Sequence, residues 1–180
     1  PQQQESILAL GSGVTMNRSG TESAAVKCEL AGEVVRAFGE LRLRVLGTSM
    51  VPSLHPGDLV SIQRASPSEV STGEIALYLR EGRLFAHRVV ARAGSPEQPL
   101  LILRGDRLRH NDPPVCASEL LGRVHFIERG SRRLQPANSL SVWKRIVAPL
   151  LRSSDRATSL YLRLEARRER LFPRRAECRV

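Results

Sequence analysis

Between Leu41 and Val45 apolar and charged residues alternate one for one. Every apolar side chain then falls on one face of an extended strand and every arginine on the other. A half-buried strand is predicted over 41–46. Five further short apolar runs follow, at 59–63, 74–80, 84–92, 100–104 and 121–127. Turn chemistry separates them: His55-Pro56-Gly57-Asp58, Ser71-Thr72-Gly73, Glu81-Gly82, Gly94-Ser95-Pro96 and Asn111-Asp112-Pro113-Pro114. Many short strands with tight turns argue for a mainly β domain, a small coiled β-barrel-like sheet rather than parallel βαβ units.

The period changes on either side of the strands. Leu30, Ala31, Val34, Val35 and Phe38 recur at helical spacing and Gly39 supplies a stop, which predicts a helix over 21–39 with that stripe on the core. Residues 1–20 read as a flexible leader, whose apolar patch is too short for a signal-peptide core. Residues 130–138 read as a linker. Beyond it Trp143, Ile146, Val147, Leu150 and Leu151 form a stripe interrupted by Pro149. A second helical stretch follows over about 154–171, with Leu160, Leu164 and Leu171 on one side. The peptide thus divides into leader, helix (21–39), strand-rich domain (40–129), linker and basic amphipathic tail (139–180).

Charge sharpens this division. The 180 residues carry a formal net charge of +10, a balance that invites a nucleic-acid partner. However, residues 1–138 hold 17 Lys and Arg against 14 Asp and Glu, whereas 139–180 hold 11 against 4. The basic character belongs to the tail, and the scattered aromatics make no base-stacking pattern, so nucleic acid is the weakest partner class. The tail suits a hairpin on the same domain, an anionic membrane surface or a protein partner. Cys28, Cys116 and Cys178 lack any metal-ligand or disulfide spacing, and neither a metal nor a cofactor is expected. No run approaches the roughly 18 apolar residues of a membrane span. These features favour the cytoplasm or a peripheral membrane location. The sequence starts at Pro1 rather than Met, which is compatible with a longer natural product.

The candidate chemistry lies in Gly47-Thr48-Ser49-Met50-Val51-Pro52, followed by the turn into 59–63. This places the Ser49 hydroxyl at a strand end, held by a rigid turn. A serine needs a base within hydrogen-bond reach to act as a nucleophile. His87 is the candidate, on the strand face it shares with Phe85 and Val89, an apolar setting that favours the neutral imidazole. Carboxylates to orient it come from Gly105-Asp106 and Asn111-Asp112. By residue types alone the signal is weak, because a lone strand histidine is usually a satisfied core residue and Gly-Asp pairs mark turns anyway.

Taken in order, Ser49-Met50-x-Pro52, Gly57-Asp58-Leu59-Val60, Gly73-Glu74-Ile75, His87-Arg88-Val89-Val90, Gly105-Asp106 and Leu121-Gly122-Arg123-Val124 resemble the conserved boxes of type I signal peptidases. The resemblance covers roughly residues 43–125. It implies the coiled β-sheet fold shared with the self-cleaving SOS repressors, and a serine endopeptidase that cuts a precursor or signal-type peptide after small residues. With no lysine between Lys27 and Lys144, the Ser-Lys version of the family is excluded. The chain resembles the histidine branch, as in archaeal and endoplasmic-reticulum enzymes.

That branch implies Ser49 as nucleophile, His87 as base, and Asp112 or Asp106 as the carboxylate that orients it. Thr48, Met50 and Pro52 would support the site, with Thr48 as a substitute oxyanion donor. The departures are Gly47-Thr48 where the family has Ser-Gly, Val51 where the histidine branch commonly has Glu, and no N-terminal membrane anchor. They favour the alternative of a non-catalytic binding module on a peptidase fold.

Overall fold

The alternating segment forms the first strand, β1 (Glu40–Arg44), along which exposed and half-buried residues alternate. The computed structural model describes residues 18–139 and 154–171. After β1 come β2 (Leu59–Arg64), β3 (Ile75–Arg80), β4 (Arg83–Gly94), β5 (Pro99–Arg104), β6 (Leu120–Arg129) and β7 (Arg132–Leu134). All six expected strands form, within a few residues of their predicted ends. They pair antiparallel in the order β1-β2-β6-β3-β4-β5, with β7 added to β6. The protein is therefore mainly β, and its seven-stranded sheet is open: the end strands β1 and β5 do not pair with each other. Residues 130–138 are not simply a linker. The chain reverses at Gly130, whose φ of 59° suits glycine, and 132–134 run back along β6.

Strand β3 is buried on both faces, which is why its apolar run is continuous rather than alternating. Ile75, Leu77 and Leu79 join one core cluster with Met50, Leu54 and Val35, while Ala76 and Tyr78 join the other with Val89, Leu101, Leu103 and Val115. The helix α1 (Arg18–Phe38) covers the first face and begins before the expected residue 21. Gly39 ends it with φ 78°, its N–H donating to the Val35 carbonyl at 2.9 Å.

Only part of the expected stripe is inside. Val35 is fully buried, but Leu30 is 63% and Phe38 77% exposed. Gly32 explains the rotation: a Cβ there would lie 3.4 Å from Leu79 Cδ2, so the helix approaches the sheet along the Gly32–Val35 side and turns Leu30 and Phe38 outward.

The second helix, α2 (Asp155–Leu171), is capped by Ser154, whose Oγ accepts from the Ala157 N–H at 3.3 Å. Thr158 is buried, and the Tyr161 ring meets the His55 ring edge-on at 5.9 Å. Leu160 and Leu164 are exposed, so α2 touches the domain through its Thr158 and Tyr161 side rather than through those two leucines. The 143–151 stripe and the 1–17 part of the leader lie outside the described residues. No helix among the described residues is long and apolar enough to cross a membrane.

Candidate active site

Ser49 sits just past β1, where the chain stops pairing with β2 and folds into consecutive turns. The Val45 N–H donates to the Asp58 carbonyl at 2.8 Å, and Gly57 donates back to Val45 at 2.8 Å. Beyond Ser49, the Ser53 and Leu54 N–H groups both donate to the Met50 carbonyl. Met50, Val51, Pro52 and Leu54 are buried, so this turn is bolted to the core and the serine next to it is fixed. Met50 and Pro52 thus support the site by packing. A second clamp comes from the turn after β5. The Arg107 N–H donates to the Ser49 carbonyl at 2.9 Å, and a Cβ on Gly105 would lie 2.7 Å from that same oxygen. Glycine is required there by close approach.

His87 comes from β4, opposite Ala76 of β3, and is 4% exposed. Its Nε2 is 2.9 Å from Ser49 Oγ and its Nδ1 is 2.6 Å from Asp112 Oδ2. With Nδ1 protonated toward the carboxylate, Nε2 is left as the acceptor for the serine hydroxyl. The sequence left two aspartates for this position, and strand alternation separates them. His87 and its neighbour Arg88 point to opposite faces of β4, and each takes one carboxylate. Arg88 grips Asp106 with two hydrogen bonds of 2.8 Å and also donates to Gly73 O, Ala137 O and Ser53 Oγ. Asp106 is therefore not the group that orients His87. It holds Arg88, which ties the serine turn to two other segments.

Thr48 stands beside Ser49, and its Oγ1 accepts from Arg107 Nη1 at 2.8 Å. Its hydroxyl proton remains available, but its geometry is set by Arg107. The Ser49 backbone N–H makes no hydrogen bond among the described residues, which leaves it free to donate to an oxygen placed over the serine.

Three residues that the motifs did not mark complete the arrangement: Arg107, Tyr78 and Arg80. Tyr78 packs edge-on to His87 at 6.2 Å and stacks on Phe85 at 5.3 Å. Burial, together with the Asp112 carboxylate facing its hydroxyl, pushes the phenol well above its ordinary range, so Tyr78 stays protonated and can donate to Asp112. Arg80 donates to the Pro113 and Pro114 carbonyls at 3.2 and 2.8 Å and is paired with Glu119. It thereby fastens the loop that carries Asp112.

The hydrogen bond from Arg80 comes first among the causes that lower the Glu119 carboxyl from 4.5 to about 2. A carboxylate depressed in the folded state stabilises fully above its unfolded value, and that contribution disappears as the pH falls through the folded one. Melting temperatures of the wild type should therefore drop between about pH 4.5 and pH 2 more steeply than those of Glu119→Gln. Parallel curves for the two proteins would contradict this.

An apolar cavity of about 550 Å³ opens beside Ser49 and His87. Its walls come from α1, the end of β1 and the first residues of β4. β5 pairs with β4 only from Arg88 to Gly94, so among the described residues 84–86 have one strand edge without a neighbour, beside the cavity that Ser49 also lines. Compared with known proteins, the chain matches no family model and no curated protein sequence.

Proposed function

We propose that this protein is a serine endopeptidase resembling type I signal peptidases of the Ser-His branch, built on the coiled β-sheet fold of that group. The observation that carries the proposal is the continuous relay from Ser49 Oγ through His87 to Asp112, with hydrogen bonds of 2.9 and 2.6 Å. Its members come from three segments far apart in the chain. A core histidine that merely satisfied its hydrogen bonds would not require a serine at the end of a turn and a carboxylate anchored from behind. The open edge of β4 and the adjoining groove suit an extended peptide, bound as an added strand.

In the proposed cycle His87 Nε2 removes the proton of Ser49 Oγ as the oxygen attacks a peptide carbonyl carbon. The carbonyl π electrons move to oxygen, and the Ser49 N–H donates to that oxyanion. Asp112 stabilises the imidazolium and holds its tautomer. Collapse of the tetrahedral intermediate breaks the C–N bond, and the amine leaves with the proton held by His87. Water, deprotonated by the same imidazole, then cleaves the acyl-serine and frees the acid.

A fluorophosphonate probe tests the nucleophile directly. Its phosphorus should become bonded to Ser49 Oγ with loss of fluoride, and digestion with mass spectrometry should place the adduct on Ser49. Equal, slow labelling of wild type and His87→Ala would speak for a non-catalytic module. Tyr78 is a positioning residue in this scheme. Tyr78→Phe removes a single donor to Asp112, so kcat should fall about three- to tenfold with KM unchanged, the scale of one lost hydrogen bond. An unaltered acid limb of the pH profile together with unaltered kcat would remove Tyr78 from the scheme.

A further inference from the structure

The cavity beside Ser49 and His87 has walls of one character and charges of one sign. Leu43, Val45, Leu77 and Ala86 are among its apolar lining, and three cationic residues join them: Lys27 from α1, Arg44 from β1 and Arg83 from β4. No Asp or Glu lines it among the described residues. The cations come from three separate elements, so no single helix or strand pattern accounts for their convergence.

Arg44 is tied to the loop before β2, donating to the Gly57 carbonyl at 3.0 Å. The side chains of Lys27 and Arg83 make no hydrogen bond or ion pair among the described residues. Elsewhere in the domain the internal arginines are matched: Arg80 with Glu119, Arg88 with Asp106, Arg129 with Asp58. All three cations are solvent-exposed beside the apolar cavity, and like-signed charges gathered at a cleft reinforce one another. An occupant that is wholly apolar leaves them unmatched, and one that is cationic is repelled.

We propose that the cavity selects an apolar peptide segment bearing a carboxylate side chain, recognised by Lys27 and Arg83. The inference rests on the peptidase reading for what happens next, but binding can be read without turnover. The cavity thereby discriminates by charge as well as by size: the apolar residues fill the space and the acidic one sets the register against Ser49.

The experiment uses apolar peptides with Glu placed at each position in turn, each compared with its Gln isostere. Binding is measured by fluorescence anisotropy on full-length Ser49→Ala, and cleavage is measured on the wild type. At one position Glu should be favoured about tenfold in both assays, with the preference shrinking as salt is raised. Lys27→Glu and Arg83→Glu should each abolish or reverse it. Arg132→Glu, the same charge change on exposed β7, should leave it intact.

Equal binding of Glu and Gln peptides at every position would overturn the proposal, as would a preference that survives both cavity reversals. Selective binding without cleavage or probe labelling of the wild type would uphold the cavity and overturn the peptidase. Labelling of Ser49 with no charge preference would do the opposite.

Discussion

Replacing Ser49 by alanine should remove peptide cleavage to background, a loss on the order of 10⁴-fold or more in kcat. The expectation follows from the geometry around one oxygen. Ser49 Oγ is 2.9 Å from His87 Nε2, and the turn that carries it is held by buried Met50 and Leu54 below and by Arg107 from the side. His87→Ala should be as severe, because a serine hydroxyl without its base is a poor nucleophile at neutral pH. The two losses should not add, since either removes the same acyl-transfer step.

The two aspartates give the sharper contrast. Asp112→Asn keeps the size of the side chain but can donate to Nδ1, which favours the wrong tautomer, and kcat should fall by about 10³- to 10⁴-fold. Asp106→Asn should not act this way, because Asp106 lies on Arg88 rather than His87. Its effect belongs to stability and to the placement of the serine turn. Measured kcat and pH profiles for the four variants decide the scheme. Full activity in Ser49→Ala would end it.

The fold was largely readable because its signals are local. Alternation over 41–46 needs only neighbouring residues, and β1 (Glu40–Arg44) overlaps that segment. Glycines at turns mark strand ends for the same reason. What was not readable depends on where one element settles on another. The sequence shows the helical stripe containing Leu30 and Phe38, but the close approach at Gly32 rotates both outward. The strand at 132–134 is too short to carry a pattern and exists because β6 offers an edge. The candidate triad was legible as residue types in order, and the choice between Asp106 and Asp112 was not. It depends on a loop after β5 folding back so that the Asp112 N–H reaches the Leu103 carbonyl at 2.8 Å. Tyr78 and Arg80 were invisible for the same reason, since their partners around Asp112 are brought to them only by the pairing of β3, β4 and β5.

The Arg88–Asp106 pair should prove to be the most expensive polar contact to break outside the relay. The Arg88 side chain is 9% exposed and that of Asp106 4%, so neither end can regain water when its partner is lost. Deleting one partner of a buried ion pair costs about 3–5 kcal/mol, because the other charge stays buried and unmatched. Arg88→Ala goes further, leaving Gly73 O, Ala137 O and Ser53 Oγ without the donor they share. Arg88→Ala and Asp106→Ala should each lower the melting temperature by on the order of 10 °C, given the few degrees per kcal/mol expected of a domain this size.

The Arg123–Glu74 pair is the internal comparison. It spans 3.3 Å between side chains 34% and 21% exposed, and Arg123→Ala should cost under about 1 kcal/mol. Because Arg88 also reaches Ser53, in the turn that presents Ser49, its loss should lower the rate of probe labelling even at temperatures where the variant is folded. A variant of Arg88 that melts like the wild type and labels at the wild-type rate would mean that the pair neither supports the fold nor steadies the nucleophile.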